Sequence, residues 1–217
     1  MTTLEPEQRL EVAATLTFLG GFIDSYTYLN FDRAIPLTQT GNVLFLTHDF
    51  VEQNWTGAGV KLASLISFII GIALARWVSH KMQGRFWQPV ILSLFALLSL
   101  LAYALISLAQ PILVLIPLAL GLALTTGSFT KVNNQAFNDS FTTGNIKKAV
   151  FHWSNYCLSK APQERSIAGI FTLLALAFIS GAVTSAYLQP LLAAETLLIA
   201  PLISLLLAAY LAYLKGR

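Results

Sequence analysis

The tripeptide Thr40-Gly41-Asn42 occurs a second time in the chain, as Thr143-Gly144-Asn145. Each copy follows an apolar segment and opens a shorter helical one, so two similar polar interruptions divide an otherwise hydrophobic sequence. Irregular backbone is tolerated at membrane depth only where protein or a water-filled cavity satisfies its polar groups. The two motifs therefore predict broken or re-entrant segments, and these segments are the candidate functional sites.

The amino-acid composition is typical of integral membrane proteins. Of the 217 residues, 56% are hydrophobic and only 11% are charged, and the mean hydropathy is +0.68. These values are far from the averages of soluble domains. A chain of this length can supply about six spans of roughly 20 residues each with short connections. We therefore expect one all-α membrane domain that covers residues 1–217.

Polar connections separate six apolar segments, which we interpret as transmembrane helices. They lie at about 11–31, 60–78, 89–109, 111–124, 166–188 and in a last segment that ends at Leu214. The N-terminus is acidic and polar, without the basic start and cleavage site of a signal peptide. The first helix is therefore expected to remain in the mature protein.

The two halves of the chain resemble each other beyond the Thr-Gly-Asn motifs. The spacing Phe-x-x-Gly occurs at Phe68–Gly71 and again at Phe178–Gly181. A repeat of three spans must enter the membrane from opposite sides in its two copies, which makes the pair inverted. The sequence predicts two inverted three-helix repeats, with repeat 1 at about 10–109 and repeat 2 at about 111–214. The two Thr-Gly-Asn breaks would then approach each other from opposite faces.

The distribution of Lys and Arg predicts the orientation. If both termini lie on one side, that side carries eleven of the 13 basic residues: Arg9, Arg76, Lys81, Arg85, Lys131, Lys147, Lys148, Lys160, Arg165, Lys215 and Arg217. The other side keeps Arg33 and Lys61. Basic residues accumulate on the cytoplasmic side of membrane proteins, so both termini are expected in the cytoplasm. The net charge of +3 needs no nucleic acid to explain it, since membrane lipids suffice as partners.

The polar side chains at the two breaks are the candidate substrate ligands. Thr40 is expected to cap the helix that follows it, which would leave the amides of Gly41 and Asn42 facing a solute at the positive end of the helix dipole. The alternative is an ordinary helix start in an external loop. The full set of candidate substrate-binding residues is Thr40, Gly41, Asn42, Thr143, Gly144, Asn145, Asn133 and Asn134.

Asp24 is an ionisable residue within the first predicted span. A carboxylate at bilayer depth is costly unless it faces a polar interior, and such residues usually mark ion or proton pathways. Asp24 is therefore the candidate coupling residue. The alternative is that it lies near the lipid headgroups or caps a kink after Gly20-Gly21.

The sequence contains no recognisable catalytic or metal-binding constellation. A nucleophile with its base, His and carboxylates at ligand spacing, and a Gly-rich phosphate loop with its lysine are all missing from the pattern. The single Cys157 forms no internal disulfide and supports no Cys-based metal site. We expect no enzyme activity, no cofactor and no metal.

Several of these motifs together resemble the YoaK family of small bacterial inner-membrane proteins, a domain of unknown function. The resemblance rests on Gly21-Phe22-Ile23-Asp24, on both Thr-Gly-Asn motifs and on the Phe-x-x-Gly pair, and it covers nearly the whole chain. Where it leads us to look for Gly-x-x-Asn in the second half, the chain has Gly127-Ser128-Phe129-Thr130, with Asn133 and Asn134 about one helical turn later. Thr130 or an asparagine would then be the second polar anchor. The resemblance implies a multi-span membrane protein without an established substrate.

Two functions from different classes fit the sequence. The first is a transporter or channel for a small polar solute, with a midplane site formed by the paired breaks. The second is a non-transporting membrane scaffold or partner-binding subunit in which the motifs only shape the fold. Small residues around Gly71 and Gly181 would serve either a homodimer or packing inside the monomer.

Overall fold

The computed structural model describes residues 4–82, 86–140 and 142–216. Two basic residues used for the orientation, Arg85 and Arg217, lie outside these ranges. Within them the chain forms eight α-helices, three short 3₁₀ helices and one two-stranded hairpin. The α-helices are α1 Leu10–Asn30, α2 Gln39–Val51, α3 Trp55–Lys81, α4 Trp87–Leu105, α5 Pro111–Ser128, α6 Thr142–Ser159, α7 Pro162–Leu192 and α8 Ile199–Gly216. The 3₁₀ helices are Pro6–Gln8, Ile106–Leu108 and Ala193–Leu198, and the strands are β1 Lys131–Val132 and β2 Gln135–Ala136.

Six long helices coincide with the six apolar segments of the sequence, which confirms the all-α class. Among the described residues, four helical stretches are long and apolar enough to cross a membrane: Trp55–Lys81, Trp87–Leu108, Pro111–Ser128 and Pro162–Gly216. The last of these contains α7, a 3₁₀ helix and α8. Large apolar side chains on these helices point outward, with Leu97 and Leu206 each more than 60% exposed. Such wide apolar surface is expected where lipid replaces water.

Helix α1 lies inside the molecule and is not one of the four apolar stretches. Leu19, Phe22 and Ile23 are fully buried in the main hydrophobic cluster. The same helix buries Thr17 and Asp24, whose polarity lowers its hydropathy. These two polar side chains of α1 thus face the protein interior and not the apolar outer surface.

Four glycines mark the two closest helix crossings. A Cβ at Gly21 of α1 would overlap the Phe178 carbonyl of α7, and a Cβ at Gly181 of α7 would overlap the Phe18 carbonyl. At the second crossing, between α3 and α5, a Cβ at Gly71 would lie 2.8 Å from the Leu120 carbonyl. The fourth, Gly127 of α5, faces Ala75. These glycines let backbones approach closely inside the chain, so they pack the monomer.

A short hairpin that the sequence did not predict follows α5. Val132 pairs with Gln135 in antiparallel register. The turn between them is formed by Asn133 and Asn134, whose φ angles of 45° and 63° are left-handed. Asparagine tolerates this conformation better than most residues, and two such residues in succession form the preferred hairpin turn. The hairpin packs beside the N-terminal 3₁₀ helix, where the Asn133 amide donates to the Gln8 carbonyl at 2.7 Å.

Candidate functional site

A cavity of about 370 Å³ lies between the first turns of α2 and α6. We call it the threonine cavity. Its described lining residues are Leu37, Thr38, Gln39, Thr40, Phe68, Ser140, Thr142 and Thr143. The structure therefore brings the threonines of the two Thr-Gly-Asn motifs, which are 103 positions apart in the sequence, to one opening. None of these eight residues is charged, and hydroxyl groups dominate the polar surface.

The start of α2 differs from the expected capping arrangement. The residue at the N-cap is Thr38, not Thr40, and its side chain makes no cap hydrogen bond. The Thr38 hydroxyl donates instead to Asp24. The amide of Gly41 is also not free, because it donates to the Thr38 carbonyl at 3.1 Å. Thr40 is exposed and lines the cavity, so it is the residue of this motif that faces the opening.

Asp24 of α1 forms hydrogen bonds with the segment that precedes α2. Its carboxylate accepts hydrogen bonds from the Leu37 amide at 2.8 Å, from the Thr38 amide at 3.2 Å and from the Thr38 hydroxyl. The side chain is 4% exposed. Asp24 is therefore buried inside the protein, where its carboxylate is bound by the segment before α2. Leu37 and Thr38 both line the cavity, so Asp24 positions part of its wall.

Asn42 closes a pair of hydrogen bonds with the backbone of Ile35, which we call the Asn42 clasp. The Ile35 amide donates to Asn42 Oδ1 at 2.9 Å, and Asn42 Nδ2 donates to the Ile35 carbonyl at 3.0 Å. Nδ2 also reaches Gln39 Oε1 at 3.0 Å and Ser64 Oγ at 3.2 Å. Gly41 permits this arrangement, since a Cβ there would overlap the Ile35 side chain. The polar atoms of Asn42 are thus engaged by the protein and hold the loop.

The second motif is arranged differently. Asn145 is 3% exposed, yet its Nδ2 has no hydrogen-bond partner within the described residues. The buried hydroxyl oxygen of Thr142, one helical turn earlier, also lacks a partner there. Gly144 is buried in the same turn, and Thr143 is exposed at the cavity. Buried polar side chains are normally satisfied, so this pair requires an explanation.

A carboxylate that sequence reasoning missed fastens the second half. Asp139, 1% exposed, accepts a 2.8 Å hydrogen bond from the Thr126 hydroxyl of α5. In the first half of the chain, the carboxylate of Asp24 lies on α1 and the hydroxyl of Thr38 lies just before α2. In the second half, the hydroxyl lies on the helix and the carboxylate lies in the connection before α6. The expectation that Thr130 or an asparagine forms the second anchor is wrong. Thr126 next to Gly127, with an aspartate four residues before the second motif, was the available sequence signal.

The other two predicted ligands lie elsewhere. Asn133 and Asn134 form the hairpin turn beside the N-terminal 3₁₀ helix, and neither is among the residues that line the threonine cavity. Their left-handed backbone explains why two asparagines occur in succession. The structure gives them a turn role.

The helices α2 and α6 lead away from the cavity to opposite ends of the molecule. The end of α2 lies beside the loop after α1, where the buried Lys61 ammonium contacts Asp49 at 2.6 Å and the Asp32 carbonyl at 2.7 Å. Helix α6 ends at the beginning of α7, where His152 contacts Glu164 at 2.7 Å. Both N-termini, with their positive partial charge, therefore face the same space.

Two buried carboxyl groups lie behind the cavity wall. Asp24 contacts Thr38, and Asp139 directly precedes Ser140. The two are near enough to interact electrostatically. Their negative charge opposes the partial positive charge of the helix ends. Within the described ranges no group of three or more His, Cys, Asp and Glu residues could hold a metal ion.

Comparison with known proteins gives one match. A family model described as "Protein of unknown function (DUF1275)" matches residues 12–210, which is most of the chain. No curated protein and no solved structure matches the chain significantly. The matched range includes both Thr-Gly-Asn motifs, all four crossing glycines, and the two buried aspartates behind the cavity wall, Asp24 and Asp139. The chain belongs to the DUF1275 family.

Proposed function

We propose that the protein is a transporter or channel for a small polar solute and that the threonine cavity is its binding site. The observation that carries the proposal is the shared cavity, in which Thr40 and Thr143 from two separate helix starts face one opening. Broken or half-length helices that direct their N-termini at a common point are how many membrane transporters bind solutes. A packing role alone does not require an opening of about 370 Å³ at this place.

The arrangement of the halves supports the inverted-repeat part of this proposal. The crossing between α1 and α7 joins Gly21 to the region of Phe178, and the crossing between α3 and α5 joins Gly71 to the region of Leu120. In each crossing the first helix of one repeat meets the long helix that follows the motif of the other repeat. A pseudo-two-fold axis that relates the two repeats would place α1 on α5 and α7 on α3. The α1–α7 crossing would then superimpose on the α5–α3 crossing, as expected for inverted repeats. Six transmembrane helices, α1, α3, α4, α5, α7 and α8, complete this architecture.

Asp24 is the coupling residue of the proposed cycle. Its carboxylate holds Thr38 in the cavity wall through three donors. Uptake of a proton would turn one acceptor oxygen into a donor that faces other donors, and the segment before α2 would be released. A change of protonation is thereby linked to a change in the wall of the binding site.

The location and partners follow from the same account. The excess of basic residues on the side of the termini favours a bacterial inner membrane with both termini in the cytoplasm, as the resemblance to YoaK proteins also implies. Membrane lipids cover the exposed apolar helix faces. The homodimer remains a prediction, and the glycine faces at Gly71 and Gly181 do not support it because they are occupied inside the chain.

The second candidate function is a non-transporting scaffold or partner-binding subunit. One observation favours it: both polar atoms of the Asn42 side chain form hydrogen bonds within the protein, which supports a role of this Thr-Gly-Asn motif in folding alone. This alternative does not explain the unpaired donor of Asn145.

Solute flux into proteoliposomes separates the two candidates. Light scattering after an osmotic step would follow the entry of a panel of small polyols, amides and amino acids, for the wild type and for the double variant Thr40→Val/Thr143→Val. We expect at least one solute to enter faster than into protein-free liposomes and the double variant to lose this flux. Thr47→Val is the matched control, since Thr47 is exposed on α2 and, among the described residues, its hydroxyl donates to the Leu44 carbonyl of its own helix. If no solute enters faster than into protein-free liposomes, or if the double variant retains the flux, the proposal is contradicted.

A further inference from the structure

The unpaired donor of Asn145 is buried one helical turn behind Thr142, which lines the threonine cavity. Thr142 lines the cavity, and Asn145 follows it by three residues, so the two side chains are neighbours on one face of α6. Side chains of a helix lean toward its N-terminus, which for α6 is the end that faces the cavity. Asn145 Nδ2 and Thr142 Oγ1 are both buried and both without a partner in the described part of the chain. Together they offer donors to an acceptor atom that the protein does not supply.

The first half shows which partners are missing. Asn42 donates to Gln39, three residues before it, and to Ser64, four residues before Phe68. The corresponding positions in the second half are Thr142, three residues before Asn145, and Leu174, four residues before Phe178. The amide side chain of Gln39 thus corresponds to the shorter hydroxyl side chain of Thr142, and Ser64 corresponds to Leu174. At these two positions the second half therefore lacks the side chains that would accept hydrogen bonds from Asn145 Nδ2.

The charges around the cavity select the kind of acceptor. The eight lining residues are uncharged, so no Lys or Arg among them neutralises an anion there. Each helix N-terminus contributes about half a positive charge. Asp24 and Asp139, when ionised, contribute two full negative charges from behind the wall. Where both carboxyl groups are ionised, their combined charge is larger than that of the two helix ends, which disfavours a carboxylate or phosphate and favours an uncharged oxygen.

We propose that Thr142 and Asn145 form the subsite that selects an uncharged, hydrogen-bond-accepting solute, holding its carbonyl or hydroxyl oxygen at the start of α6. This inference rests on the proposed function, because it names the substrate class of the same cavity. In this proposal the start of α2, held by Asn42, forms the rigid side of the cavity, and the start of α6, with Asn145, binds the solute. At about 30 Å³ of liquid volume per water molecule, the cavity has room for roughly a dozen waters, which suits a small solute.

Thermal unfolding of the detergent-purified protein with matched solute pairs tests the proposal. Each pair differs in charge and little in shape: acetamide with acetate, and lactamide with lactate, at equal osmolarity and ionic strength. A ligand that binds only the folded protein raises its Tm. We expect an amide to raise the Tm of the wild type by about 2 °C or more and its carboxylate partner to raise it less.

The variant Asn145→Leu distinguishes recognition from folding. It removes the unpaired donor and keeps the side chain's size, so the Tm without solute should not fall, while the shift given by the amide should be lost. Thr47→Val is the matched control and should keep the shift. An amide shift that survives in Asn145→Leu, a larger shift with the carboxylates, or no shift with any amide would overturn the subsite. Flux that depends on Thr40 and Thr143 would survive each of these outcomes, so failure of the subsite is distinguishable from failure of the transport proposal.

Discussion

The first turns of α2 and α6 carry the same tripeptide and differ in what their asparagines do. Asn42 forms a clasp with the Ile35 backbone and contacts two further side chains. Asn145 is as deeply buried, and its Nδ2 has no partner in the described part of the protein. One copy of the motif thus stabilises its loop, and the other leaves a buried donor without a partner in the described residues. Two copies of the same tripeptide in one chain therefore do not imply equal roles.

The largest effect is expected for Asn42→Leu, which breaks the stabilising copy. The Ile35 amide and carbonyl lose their partners, and each unsatisfied group costs about 1–3 kcal/mol when it is shielded from water. Since Ile35 is half-buried, we expect the free energy of unfolding to fall by about 2–4 kcal/mol. Denaturant unfolding in mixed micelles measures it. A loss no larger than that of Asn145→Leu would remove the distinction between the two motifs.

The two buried carboxylates provide a second comparison. Asp24→Asn places an amide group against three donors from Leu37 and Thr38, and hydrogen bonds to a charged group contribute about 1.5–3 kcal/mol. We expect a loss of about 1.5–3 kcal/mol in the same unfolding assay. Asp139→Asn should cost less, since only the Thr126 hydroxyl, among the donors described for Asp139, joins it to a helix; the remaining donors are the backbone amides of Asp139 itself and of Ser140. A larger loss of unfolding free energy for Asp139→Asn than for Asp24→Asn would contradict the stronger stabilising role of Asp24.

The two helix crossings test whether the repeats are equivalent. Gly181→Ala would push into the Phe18 carbonyl, and Gly71→Ala would push into Ala123 and the Leu120 carbonyl. Overpacking of this kind costs about 1–3 kcal/mol, and we expect both variants to fall in this range. Gly169→Ala on α7 is the control, because no neighbouring atom of the described residues lies within 4 Å of the position that its new Cβ would take. A cost at only one crossing would contradict the pseudo-symmetry.

The smallest effect is expected for Asn145→Leu without solute. Replacing an unpaired buried donor by an apolar group of similar size is neutral or stabilising, so the free energy of unfolding should stay within about 1 kcal/mol of the wild type or rise. The same unfolding measurement, run beside Asn42→Leu, gives the difference directly. A loss of about 2 kcal/mol or more would mean that Asn145 has a structural partner and that the two motifs are alike.

Much of the fold could be predicted from the sequence because long apolar segments in a membrane leave little choice but helices. The six segments, the interruption at each Thr-Gly-Asn motif and the burial of Asp24 follow from hydropathy and the cost of exposed polar groups. The Phe-x-x-Gly spacing also located two of the four crossing glycines, Gly71 and Gly181.

The candidate site was predicted less completely, because its partners depend on tertiary contacts. Thr40 and Thr143 do reach one cavity, but nothing in the sequence indicates that Asn42 would be engaged by Ile35 and Asn145 left free. Asp139 was overlooked because it stands in a polar connection, where a carboxylate is ordinary until its burial is known. The polarity of Asn133 and Asn134 points to a binding site, whereas their left-handed backbone conformation places them in a turn.

Cross-linking across the threonine cavity tests the central claim most directly. In a Cys157→Ser background, the double variant Thr40→Cys/Thr143→Cys would be treated in membranes with a short, water-soluble bifunctional thiol reagent, and intact mass would detect an internal link. The account predicts a link within one chain that a bound solute slows, and no link in the control Thr47→Cys/Thr143→Cys. An unlinked Thr40→Cys/Thr143→Cys protein, or equal linking in the control, would contradict a shared cavity between the two helix starts.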